Sequence, residues 1–288
     1  MSELAVDRLS PDESTAAVTL HPSQRYINRE LSWLAFNERV LEEASNSGHP
    51  LLERVRFLSI SDSNLDEFYM VRVAALKELA ASGVAAKSDD GLTPEQQLAA
   101  IAEVAAGLVQ RQQRCWADLQ KRLRAEGISI LDHEGLSGDD RTWLRQLFID
   151  RLLPVLTPIA IDPAHPFPFV PNRALAMVVE LRREDGSQIN ALVLVPERVE
   201  RFIRLPGEKG RFTLVEEVLL AVGLAELFPG MKPLGHGLFR ALRNSDIEIE
   251  EKAQDLVVMF ESALKRRRRG QIIRLTFSTG TPERLRDF

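Results

Sequence analysis

Residues 61–76 read SDSNLDEFYMVRVAAL: three carboxylates, an amide and two aromatic rings set into an otherwise helical pattern. How this stretch is read decides the N-terminal third of the chain. One reading breaks the helix here. A helix opening at Pro50 carries Leu51, Val55 and Leu58 on one face and runs into SISDSN, and another begins near Leu65 with Phe68, Val71, Val73, Leu76 and Leu79 apolar. The polar residues then act as caps. Asn64 with Glu67 three residues on resembles a capping box, and Asp66 and Glu67 suit the positive end of the helix dipole. Alternatively Ser63 caps, with Asp66 at that spacing, and the Asn64 amide is left free. A group that both donates and accepts can read a purine edge.

Outward from this stretch the pattern stays helical. In YINRELSWLAFNERVLEEASNSG, Ile27, Leu31, Leu34, Leu41 and Ala44 fall on one face, and Gly48 and Pro50 close the segment. After the linker VAAKSDDGL, Thr93 is placed to cap a long helix with Pro94 at its first position and Gly127 just past its end. Its stripe of Leu98, Ile101, Ala105, Leu108, Cys115, Leu119 and Leu123 demands a helical partner. The fold expected for residues 25–126 is an all-helical domain.

Beyond Gly127 the pattern changes to mixed α/β. ISIL is a short strand, SGDDRTWLRQLFIDRLL a capped helix, and the proline-rich run PVLTPIAIDPAHPFPFVPN a connection that no helix can continue through. ALAMVVELRR and NALVLVP form a hairpin through EDGSQ, and FTLVEEVLLAVGLAELF is helical. A strand at LFRALRNSDIEI, a helix ending in KRRRR and a strand at IIRLTFS follow, and PERLRDF starts a further helical element. An α/β head domain over 127–288 is the expectation, and residues 1–24 form a mobile polar tail.

With 288 residues and a formal net charge of −5, the overall field does not suit a protein that coats nucleic acid or anionic lipid. The basic run 265–269 sits at the end of a helix that begins with Glu248, Glu250 and Glu251, where the macrodipole favours cations. No stretch reaches the roughly 20 apolar residues of a membrane span, and one cysteine makes no internal disulfide. These features predict a cytoplasmic protein without a membrane anchor or nucleic-acid partner. The five histidines stand apart from one another and from cysteine at zinc spacing, so no metal site is expected, and His165 among its prolines orders a loop. The glycines form neither a Rossmann nor a Walker loop.

YINRELSWLAFNERVLEEA, PLLERVRFLSISDSNLDEFYMVRVAALK, LTPIAIDPAHPFPFVPNRALAMVV and RRRRGQIIRL resemble, in this order, the long multi-domain bacterial polyphosphate kinase. The resemblance runs from about Arg25 to Phe288. It implies a helical N-terminal domain and a dimerising head domain in this chain, with the two phospholipase D-like catalytic domains absent from it. The implied reaction is reversible transfer of the terminal phosphate of ATP to polyphosphate through a phosphohistidine, with magnesium. The family's phosphorylated histidine and magnesium-binding arginines match none of the residues here, so the chain alone is expected to be inactive. The asparagine of SNLDEF, which contacts the ATP base in that family, falls on Asn64. The rival expectation is a stand-alone dimerising scaffold module.

Overall fold

The computed structural model describes residues 25–83, 87–161, 167–244 and 270–287. The expected tail at 1–24, the loop around His165 and the helix ending in the basic run 265–269 lie outside them.

Four helices build the first layer: α1 (Arg29–Ser45), α2 (Leu51–Phe68), α3 (Ala74–Ala81) and α4 (Pro94–Ala125). Asn28 caps α1, its Oδ1 accepting the amides of Glu30 and Leu31 at 3.0 and 3.2 Å. Thr93 caps α4, as the sequence predicts, and Gln96 completes a capping box with it. Leu34, Leu41, Leu65, Phe68, Ile101 and Leu108 meet in the core between these helices. Ile27, expected in that stripe, precedes α1 and is exposed.

The break expected at 61–64 does not occur. The α2 helix runs through it, and a π-helical turn, Tyr69–Val73, carries the chain into α3 without interruption. Neither Ser63 nor Asn64 is an N-cap. The polarity of the stretch has a tertiary cause: Ser61 and Asp66 are buried against partners from other elements, so their polar groups need no helix terminus. The π turn also shifts the helical phase. Met70, Val73 and Ala74 are buried, while Val71, expected in the apolar stripe, faces solvent.

Two sheets and short helices follow: β1 (Ser129–Leu131), α5 (Gly138–Leu147), β2 (Pro158–Ile161), β3 (Leu175–Arg182), β4 (Gln188–Leu194), β5 (Phe202–Arg204), β6 (Arg211–Leu214), α6 (Val215–Val218), α7 (Leu224–Leu227), β7 (Lys232–Arg243), β8 (Ile272–Phe277) and α8 (Glu283–Arg286). The larger sheet has the antiparallel order β2-β4-β3-β7-β8. Its β3–β4 hairpin is the one the EDGSQ turn predicts. Strand β2 lies in the run expected to be a loop; Pro158 is tolerated because it is the first residue of an edge strand. The smaller sheet orders β1-β6-β5, with β1 parallel to β6. That pairing takes residues 212–214 out of the helix expected there, an effect only a distant strand can exert.

Strand β3 is buried from Ala176 to Leu181 because both its faces are covered. On one side Met177 and Val179 pack with Leu144, Phe148, Val218 and Leu219. On the other, Ala176 and Val178 pack with Val170, Phe239 and Leu285. The helical layer joins the sheet at β8, whose Ile273 enters the helical core while Lys77 Nζ donates to its carbonyl at 2.8 Å.

Helix α5 starts with a capping box in which Ser137 and Asp140 satisfy each other's amides. The Arg211 guanidinium, 2.6 Å from Asp140, together with Ser137 holds this carboxyl below the usual aspartate value of 3.8, against the opposing effect of burial. A lowered value in the folded chain means that the unfolded chain takes up the proton first. The stabilisation is therefore present above about pH 4 and is lost as pH falls below it. Asp140→Asn is expected to remove about 2 kcal/mol at pH 7 and to flatten the acid limb of a melting-temperature series taken from pH 7 to pH 3. An unchanged acid limb contradicts this role.

Candidate functional site

The polar residues of α2 divide between two neighbours. Toward α1, Asn64 Nδ2 donates to Asn37 Oδ1 at 3.3 Å. Asn37 is wholly buried, and its own Nδ2 donates to the Ser61 carbonyl at 2.9 Å. Ser61 Oγ accepts from Gln112 Nε2 of α4 at 2.9 Å. A ladder of four polar residues, joined through the Ser61 main-chain carbonyl, thus crosses three helices, and Asn64 is its partly exposed end. Among the described residues nothing hydrogen-bonds to Asn64 Oδ1.

Toward the sheet, Asp66 is buried and lies 2.5 and 2.6 Å from Arg240 Nη2 of β7. Burial pushes this carboxyl up, and the Arg240 guanidinium is the main opposing influence. Asp62 adds to the rise, while Arg173 and Arg274 oppose it. Arg173 Nε stands 3.9 Å from Asp66, and Asp62 stands 4.0 Å from Arg240.

Between these contacts a small cleft opens where helix meets sheet. Ser63, Glu67, Met70 and Val71 line one side, and Asn172, Arg173 and Asn244 the other. Arg173 takes φ +64°, a left-handed conformation that costs a non-glycine residue about 1–3 kcal/mol. Its amide donates to the Ala241 carbonyl at 2.8 Å, and that bond helps hold it there. Asn172 bridges the cleft, donating to the Met70 sulfur at 3.1 Å and accepting from the Arg243 amide at 2.8 Å. One turn beyond Asn64, Phe68 stacks on Trp33 at 4.7 Å, Tyr69 meets Phe68 edge-on, and Arg274 lies 4.6 Å over the Tyr69 ring.

Other charged residues near this region are committed elsewhere. Arg54 is buried and donates to the Ala44 carbonyl at 2.9 Å, and Arg72 pairs with Glu30 at 3.1 Å. His49 and His133 each meet one carboxylate, Glu43 at 2.7 Å and Glu217 at 2.8 Å. No group of three or more His, Cys, Asp or Glu able to hold a metal ion occurs among the described residues. Among the same residues, no helix is long and apolar enough to cross a membrane. The chemistry this region offers is recognition: an outward carboxamide oxygen on a buried polar ladder, beside a cleft with arginine on its rim.

The sequence singled out Asn64 and missed its partner Asn37. The signal was present. Asn37 falls three residues after Leu34 and four before Leu41, inside the apolar stripe of α1. Ser61 and Gln112 interrupt the stripes of α2 and α4 in the same way. A polar residue at a core position requires a hydrogen-bond partner, and these three supply one another.

Comparison with known proteins gives consistent matches. The polyphosphate kinase N-terminal domain model matches residues 26–131, and the polyphosphate kinase middle domain model matches residues 139–288. The polyphosphate kinase of Erythrobacter litoralis (strain HTCC2594) is 50% identical over 254 residues, covering 88% of this chain and 35% of that protein. That of Mycobacterium avium (strain 104) is 46% identical over 286 residues, 95% of this chain and 39% of its own length. The chain therefore spans little more than a third of these relatives. The crystal structure of polyphosphate kinase from Porphyromonas gingivalis superposes with a TM-score of 0.72 at 25% identity, over 91% of this chain and 36% of that one.

Proposed function

The chain belongs to the polyphosphate kinase family, and from that premise we propose that it supplies the N-terminal and middle portion of a cytoplasmic, homodimeric enzyme that moves the terminal phosphate of ATP onto polyphosphate and back. The helical domain, residues 25–126, forms the base side of the ATP site, and the head domain, residues 127–288, provides the dimer surface. The resemblance assigns the phosphohistidine and the magnesium ligands to none of these 288 residues. What this portion contributes is binding and orientation, the terms on which phosphoryl transfer chiefly depends. By itself it is expected to bind ATP weakly and to leave it intact.

The observation that carries this reading is the Asn64 side chain, anchored at Nδ2 and open at Oδ1. A carboxamide fixed on a rigid helix can hold an adenine edge with little ordering cost. In a polyphosphate kinase containing this chain, Asn64→Ala is expected to raise KM for ATP about tenfold with little change in kcat. In the reverse direction KM for polyphosphate stays as it was. An unchanged KM for ATP removes Asn64 from the site.

A further inference from the structure

Resting on the reading of Asn64 as the base contact, we infer that Asn37 is a specificity-determining residue that orients the Asn64 carboxamide so that the site selects a 6-amino purine over a 6-oxo purine. Asn37 does not touch the nucleotide in this account. It acts through Asn64.

Donors and acceptors fix the orientation of both carboxamides. The Ser61 carbonyl can only accept, so the Asn37 group 2.9 Å from it must be the NH2. Burial leaves Asn37 no water with which to exchange roles. Its Oδ1 therefore faces Asn64, and an oxygen there can only accept, so Asn64 must present its NH2 inward at 3.3 Å. The Gln112 bond to Ser61 Oγ ties this register to α4 as well. What remains of Asn64 for a ligand is Oδ1 and the second Nδ2 proton. That edge matches adenine, whose exocyclic amine donates and whose ring nitrogen accepts. A 6-oxo purine sets its O6 against the Asn64 oxygen, acceptor against acceptor. Without Asn37 the carboxamide is free to turn over and meet O6 with its NH2.

The test uses ATP and inosine triphosphate, whose bases differ at C6, an amine against a carbonyl oxygen, and at the adjoining N1, an acceptor in adenine and an N–H in hypoxanthine; each is titrated into the unmodified 288-residue chain by ligand-observed NMR. ATP is expected to bind about tenfold more tightly, and equal affinities overturn the inference without any variant being needed. Asn37→Leu is then expected to bring the two affinities to within about threefold, by loss of discrimination rather than loss of binding. Retained discrimination in a folded Asn37→Leu chain overturns it too. Asn64→Ala separates the base contact from the orienting role. If it leaves ATP binding untouched, the base contact itself falls. If it weakens ATP while the unmodified chain treats both nucleotides alike, the contact stands and the orienting role of Asn37 falls.

Discussion

Arg240→Ala is expected to lower the unfolding free energy by about 3–5 kcal/mol, because it strands the buried Asp66 carboxylate without its counter-charge. Asp66 is already pushed toward protonation by burial, and Arg240 is the main influence holding it ionised. Its nearest substitute, Arg173 at 3.9 Å, is already strained in φ and half in solvent. The cost should resist salt, unlike that of an exposed pair such as Arg122–Asp118. Urea unfolding at low and high ionic strength measures both statements. The double variant Asp66→Leu, Arg240→Leu should recover most of the loss, since two apolar groups leave no charge behind. A loss below about 1 kcal/mol in Arg240→Ala would show that this pair does not lock helix to sheet.

Phe68→Ala ranks beside it. Phe68 is among the largest fully buried side chains, stacked on Trp33 and met edge-on by Tyr69. Truncating a buried phenylalanine costs about 3–5 kcal/mol, and the lost ring pairs add to that. Val71→Ala is the control. The sequence pattern places Val71 on the same stripe, but the π turn carries it into solvent, so its truncation should stay within about 0.5 kcal/mol. Equal costs for the two variants would contradict the phase shift at Tyr69–Val73.

These two variants also mark where the sequence was and was not legible. Caps, long apolar stripes and the β3–β4 turn are local features, and they predicted α1, α4, α5 and the hairpin. What failed depended on distant partners. The 61–64 stretch looked like a helix boundary because polar residues in a helix interior usually are; nothing local says that Asn37, Gln112 and Arg240 satisfy them. Strands β2 and β6 were missed for the same reason, since each exists through a neighbour supplied by another part of the chain. Asn64 came from resemblance joined to its amide chemistry. Its partner Asn37 was open to inspection as a polar residue interrupting an apolar stripe, a sign that reads only when three such interruptions are set side by side.

The role proposed for Asn64 is contact with the base and not with the phosphates of the nucleotide. Its side-chain amide resonance in the 15N-labelled 288-residue chain tests this most directly, followed during separate additions of adenosine and of tripolyphosphate. Adenosine is expected to move the Asn64 signal and tripolyphosphate to leave it in place. A signal moved by tripolyphosphate and unmoved by adenosine would contradict it.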